Sequence, residues 1–295
     1  MDRLSRSAWV LNLDAERELE TPGAHTPSAD TIARMPDLVR ALRGLLGHDG
    51  VVVDEDARVT REHLGRAWCP TPSALRRLGD AGATVLPAPG FDVLRRVNHR
   101  RFSADRGQTL PGARFAMSLD EVLETIAGES PTGHWLLKRP FGFAGRGRRR
   151  VAQGELDDAT LEWVRASLRG GEGAQIEPWV ERADDFAVHG FVSPEGIVTV
   201  GEPTRQQCDE RGAWRATELA TNLAPDVASR LRSSAELAAN ALHEAGYFGP
   251  FGVDAFLWRC RGQVALNPRS EINARYSMGW AVGMAERRVD LAPLP

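Results

Sequence analysis

Hydrophobic spacing divides the chain into a strand–helix series followed by a longer, strand-rich stretch. The apolar run 8–13 (AWVLNL) predicts a buried first strand, and the Pro/Gly/Thr/Ser-rich segment 21–30 predicts a loop. Over 31–46, Ile32, Met35, Leu38, Val39, Leu42, Leu45 and Leu46 recur at helical spacing, and Gly47 supplies a stop. Residues 51–53 and 82–87 predict two more strands. Helices are predicted over 73–78, with Ser73 as cap, and over 91–97. Alternation of this kind implies a small parallel sheet over roughly the first 95 residues.

From Asn98 the pattern changes. A helix opens at 98–102, a strand enters at 110–116, and Ser118 caps a helix with Glu121 at capping-box spacing. The stretch 136–151 (LLKRPFGFAGRGRRRV) reads as strand, glycine-rich turn and strand. A helix over 157–168 follows, then strands over 174–180, 186–192 and 196–202. A long helix spans 224–245 and ends at Gly246. Residues 252–266 predict a β-hairpin that runs on into an extended segment through Arg275.

Composition narrows the class without naming a function. With 42% hydrophobic and 26% charged residues, the 295-residue chain is an ordinary globular protein long enough for about two domains. A formal charge of −3 argues against a general nucleic-acid binder, so the basic run at 146–150 is local. Cys69, Cys208 and Cys260 form no C-x-x-C pair and imply neither a disulfide framework nor a zinc site. No secretory h-region and no run of 18 apolar residues is present, so a cytoplasmic location without membrane contact is expected.

Two stretches carry candidate chemistry. In the first, Lys138 stands before a loop holding Gly142, Gly145 and Gly147, in a chain whose cations are otherwise arginine. Glycines let backbone N–H groups approach a ligand, and a lysine adds a point charge suited to phosphate, so the hairpin is a candidate flap over a nucleotide. It is not a Walker A loop, because no Gly-Lys-Ser/Thr follows. A solvated basic hairpin is the alternative. The second stretch is Asp254 with Glu271-Ile-Asn273-Ala-Arg275. Period-two alternation puts Glu271, Asn273 and Arg275 on one side of a strand. A turn at Arg261-Gly262 would set Asp254 opposite Arg269, unless Pro268 introduces a bulge. Two carboxylates and an amide oxygen suit Mg²⁺, or Mn²⁺ in its place, shared with nucleotide phosphates. An exposed strand with ion pairs is the alternative.

Taken in order, the lysine and glycine flap, the Glu177-Pro-Trp-Val180 hinge and the D…E-x-N strands resemble the ATP-grasp superfamily over about residues 98–285. The resemblance implies an α/β fold with a pre-ATP-grasp parallel-sheet domain (1–97), a central lobe with the flap (98–180) and a C-terminal lobe with the metal site (181–295). It implies that Lys138 and Arg100 contact phosphates, the latter where many members have lysine. Gly142, Gly145 and Gly147 would cover the phosphates. Glu177 and the backbone of Trp179 and Val180 would meet the adenine, and Asp185, or Asp184, the ribose. Asp254, Glu271 and Asn273 would hold Mg²⁺, and Arg275 would lie near the reacting carboxyl phosphate. The arginine usual before the first metal carboxylate is absent, and Arg269 or Arg205 could substitute. The implied activity joins a small-molecule carboxylate to an amine or thiol through an acylphosphate, with release of ADP and phosphate. A small-molecule kinase or a nucleotide-binding module without turnover are the alternatives, and a homo-oligomer is compatible with either.

Three further features have ordinary readings beside functional ones. His189 lies on an apolar strand and is expected to be a satisfied core or edge residue. Segment 201–209 is a connecting loop or lines an acceptor pocket. Trp68-Cys69-Pro70 is a packed turn or faces substrate, and Cys69 and Cys208 lack a His/Asp partner motif.

Overall fold

The computed structural model describes residues 6–23, 29–54, 57–107, 110–142, 147–208, 214–260 and 262–291. Its first sheet is wholly parallel: β1 (Ser7–Val10), β2 (Val51–Val52), β3 (Leu64–Ala67) and β4 (Thr84–Val85), in the order β2-β1-β3-β4. Helix α1 (Glu16–Glu20) follows β1. The expected helix over 31–46 is two, α2 (Ala29–Ala41) and α3 (Arg43–Leu46), because Leu42 leaves helical geometry. Helix α4 (Pro72–Ala81) begins on a proline at N1 and stops at Gly82, whose φ of +97° an L-residue with a side chain rarely adopts. Helices α5 (Phe91–Asn98) and α6 (Arg100–Ala104) then carry the chain out of this unit.

The second sheet is antiparallel. It contains β5 (Arg114–Ala116), β6 (His134–Lys138), β7 (Arg148–Ala152) and β8 (Ala174–Pro178), in the order β5-β8-β6-β7. Helix α7 (Leu119–Ala127) is capped by Ser118 Oγ, which accepts from Glu121 N–H at 3.2 Å. Glu121 returns its carboxylate to Met117 N–H, one residue earlier than a capping box requires. Helix α8 (Asp158–Leu168) is capped by Asp157. Ala116, Val122, Ile126, Trp135, Leu137, Val151, Val164 and Ile176 form a core belonging to this lobe alone.

The third sheet has six strands: β9 (Glu181–Val192), β10 (Val198–Val200), β11 (Thr204–Cys208), β12 (Trp214–Leu219), β13 (Gly249–Cys260) and β14 (Gln263–Asn273). Segment 201–209, expected as a loop, is largely β11, and β3 and β12 had no predicted counterpart. Helix α9 (Pro225–Glu244) packs on β9, β13 and β14, and the short α10 (Trp280–Met284) lies on β9. The largest core runs without a break from Trp9, Leu42 and Leu94 of the first unit into Phe186, Val188, Leu231, Phe251 and Trp280 of the third.

Candidate active site

The acidic wall is built on β13 and the edge strand β14, with β9 on the other side of β13. Beyond the β13–β14 turn the register holds as expected through Phe256↔Asn267. It then slips at a bulge that sets Asp254 opposite Glu271 and Gly252 opposite Asn273. Asp254 therefore does not face Arg269. Pro268 cannot donate to the ladder, and Ser270 Oγ closes the distortion by donating to the Asp254 carbonyl at 3.1 Å. The slip brings two carboxylates together as a direct cross-strand pair. Asn273 Nδ2 donates to Asp254 Oδ2 at 3.0 Å, and Gln206 Nε2 donates to Oδ1 at 3.2 Å. Burial and then the adjacent Glu271 push the Asp254 carboxyl up to about 6, against the opposing pull of Arg275 and the two amides.

The basic wall comes from α6 and β6. Arg100 Nη1 pairs with Glu271 Oε2 at 2.8 Å, while its Nε donates to the Arg139 carbonyl at 3.0 Å. Burial works to raise the Glu271 carboxyl, but Arg100, Lys138 and Arg275 outweigh it and hold the group below its ordinary range. Lys138, the only lysine in the sequence, pairs directly with Glu177, and both side chains are over nine-tenths buried. Burial holds the ammonium below its usual value despite that carboxylate. Gln175 Nε2 donates to the second Glu177 oxygen at 3.3 Å. In the ladder Lys138 faces Arg148 and Gln175, while Leu136 faces Arg150 and Glu177, so these side chains share one face. Arg149 is on the opposite face, over the Trp163 ring at 5.7 Å, and Arg150 covers Trp179 at 4.8 Å. Gly147 has φ +70° at the base of the turn and accepts from Arg139 N–H at 2.8 Å. The Gly142 carbonyl is 3.4 Å from Arg100 Nη2, and Gly145 lies outside the described residues.

The remaining expected site residues are distributed unequally. Trp179 already uses its backbone inside the protein: its N–H donates to His134 O at 2.9 Å, and its carbonyl accepts from Thr132 Oγ1 at 2.7 Å. Val180 packs beside Phe256 and Trp258. Asp185 pairs with Arg182 at 2.8 Å and is the cross-strand partner of Gln206, whereas Asp184 pairs with Arg205 at 3.3 Å. Arg275 reaches the acidic wall through its charge and is bonded to Glu16 of α1, 2.7 Å from its Nε. Arg269 turns away and donates to the carbonyls of Arg106 and Gly107 at 2.8 and 2.7 Å. Among the described residues, no three His, Cys, Asp or Glu side chains gather as a metal site. The candidate set is therefore two carboxylates and an amide, to be completed by phosphate oxygens and water. Their mutual repulsion fits a divalent cation between them.

His189 is fully buried with no hydrogen-bond partner on either ring nitrogen, and burial pushes it down to about 3. The expectation of a satisfied histidine is not met. A Cβ on Gly283 would sit 2.6 Å from its Nδ1, so the ring fills a space that only glycine permits. Cys69 is buried and pushed well above the ordinary thiol range, which argues against a nucleophile. Gln206 falls in the 201–209 segment, expected to line a pocket or to connect elements, and one further residue, Glu16, had no sequence signal attached. Glu16 follows the carboxyl end of β1 in a parallel sheet whose strand order changes direction between β1 and β3, and that position is the cue that could have found it.

No family model matches the sequence, and no curated protein matches it. Solved structures do. N5-carboxyaminoimidazole synthase from Aspergillus clavatus, in complex with ADP and 5-aminoimidazole ribonucleotide, is 17% identical over 99% of this chain and 78% of that one, with a TM-score of 0.53. D-alanyl-alanine synthetase A from Vibrio cholerae is 12% identical over 97% of this chain and 93% of that one, at 0.55. Biotin carboxylase from Campylobacter jejuni is 13% identical over 95% and 68%, at 0.55. The chain has the ATP-grasp fold. In this fold β6–β7 supplies the basic side of the cluster and β13–β14 the acidic side.

Proposed function

We propose that the protein is an ATP- and Mg²⁺-dependent ligase that activates a small-molecule carboxylate as an acylphosphate and passes the acyl group to an amine or thiol. The observation that carries this reading is the Arg100–Glu271 pair, which joins the basic wall to the acidic one in a single buried cluster with Lys138 and Asp254. A triphosphate carries several negative charges. Lys138, Arg100 and the backbone of Gly142 and Gly147 would hold it on one side, while Asp254, Glu271 and Asn273 would hold the divalent ion that offsets its charge on the other. The side chains then act by position and electrostatics: they orient the terminal phosphoryl group toward the substrate carboxylate and stabilise charge as it shifts to the ADP oxygen. Arg275, within electrostatic reach of Asp254 and Glu271, would receive the acyl phosphate, and Glu16 fixes its guanidinium. With the Trp179 N–H engaged, the adenine edge falls to Val180 and Glu177, and the ribose to Asp185.

The test is ADP and phosphate release with a matrix of small acids against amines and thiols. Release that needs one member of each set supports ligation. ADP formation without free phosphate from a single hydroxylated compound would replace this reading with a kinase. Absence of Mg²⁺-dependent ATP binding in the wild type would remove both.

A further inference from the structure

An open groove of about 700 Å³ lies away from Lys138, Asp254, Glu271 and Asn273, none of which lines it. Its walls are α5, α6, the turn at Gly171–Glu172 and the last turn of α9. Two guanidiniums face it without an ion-pair partner among the described residues. Arg96 donates only to the Ala245 carbonyl, the C-cap of α9, and Arg106 only to the Phe102 carbonyl. A guanidinium has five N–H donors, so most are left over. Arg106 is fixed in plane over the Phe102 ring, 3.4 Å from its centroid, and its Nε is buried without a partner. Arg106 is within electrostatic reach of Asp105 and Glu244, which attract it without an ion pair among the described residues, and of Arg96, which repels it. Two of the acids in the groove are already engaged: Glu172 is held by Arg95 at 2.6 Å and His99 at 3.3 Å, and Asp105 lies 3.6 Å from Arg101.

We infer that this groove is a second binding site, for a small multivalent anion bearing phosphate or carboxylate groups, held by Arg96 and Arg106. Two adjacent guanidiniums bound only to neutral carbonyls gain charge-assisted bonds from such a ligand that no described residue supplies at bonding distance. Asp92 and Glu244 on the rim repel anions, so the site selects a ligand charged enough to engage both arginines at once. The groove also has a route to the flap. The His99 ring meets Phe141 edge-on at 5.1 Å, and the next residue is Arg100.

Calorimetric titration with tripolyphosphate and with citrate, each with ADP in excess, tests this. One binding event is expected for at least one of the two anions. In Arg96→Gln/Arg106→Gln it should weaken about tenfold or more, the loss of a charge-assisted contact, while ADP affinity stays at the wild-type value. Preference between the two anions identifies phosphate or carboxylate as the natural group. Glu244→Gln, which leaves both arginines in place, should tighten binding by about twofold to threefold through loss of a neighbouring like charge. No heat with either anion, equal affinity in a folded double-arginine variant, or no tightening in Glu244→Gln would each overturn the assignment. None of these outcomes depends on turnover, so failure here leaves the ligase reading untouched, and failure of ligation leaves the groove untouched.

Discussion

The two walls of the candidate site handle buried charge in opposite ways. On β6 and β8, Lys138 and Glu177 neutralise each other, and Gln175 takes up the remaining carboxylate oxygen. On β13 and β14, Asp254 and Glu271 oppose each other as like charges, and only Glu271 has a cation at bonding distance. One wall is complete in the protein alone. The other is left with an excess of negative charge, which suits the divalent cation proposed above. The difference lies in what each wall needs before a ligand arrives: the Lys138–Glu177 pair already holds its geometry, and the Asp254–Glu271 pair is where a bound cation would add the most.

Substitutions on the two walls should therefore diverge. Lys138→Met strands a carboxylate that is 4% exposed, and unfolding in urea should show a loss of about 3–5 kcal/mol. Lys138→Met/Glu177→Leu should recover most of that. A single variant as stable as wild type would mean that the pair is not holding the lobe. Asp254→Asn should do the reverse. It relieves the repulsion with Glu271, while Gln206 and Asn273 can turn their amides to suit, so the metal-free protein should gain about 1 kcal/mol near neutral pH while Mg²⁺-dependent ATP binding is lost.

Titration sharpens the same contrast. A carboxyl raised to about 6 in the folded state favours folding when protonated. Its contribution is present in full below the ordinary carboxylate range and is lost as pH rises through about 6. Metal-free stability should fall across that interval in the wild type and stay flat in Asp254→Asn, and stabilisation by Mg²⁺ should emerge only above it. The smallest effect belongs to the basic run. Arg150→Ala removes a surface stacking on Trp179 worth about 0.5 kcal/mol, visible as a small drop in melting temperature.

Much of this site was legible in residue order, because the flap lysine, the hinge glutamate and the D…E-x-N acids each sit on a strand whose alternation assigns a face. Legibility failed where tertiary contacts decide. The slip that pairs Asp254 with Glu271 lies beside Pro268, where the sequence allows a bulge, but the new partner of Asp254 is set by the fold. Strand β3 (LGRA) contains a glycine and an arginine, and is a strand only because β1 and β4 flank it. The Arg275–Glu16 bond spans almost the whole chain, beyond any local pattern. Trp179 sits at the expected hinge, but the backbone bonds to His134 and Thr132 are set by the fold.

The division of the cores has a mechanical consequence. The first and third sheets share one apolar interior, and the Tyr276 N–H is bonded to the Trp68 carbonyl across them at 3.0 Å, so they behave as a single anvil. The central lobe keeps its own interior and meets the rest through a small cluster of Leu110, Val180, Phe256 and Trp258, through Phe102 and Phe141 at the large core, and through the Arg100–Glu271 pair. It is the hammer, and it should be able to loosen while the anvil stays intact. Native-state hydrogen exchange should show the amides of Trp135, Leu137 and Ile176 released together in a lower-energy opening than those of Val188 and Phe251. Simultaneous release of both sets would show that the two bodies unfold as one.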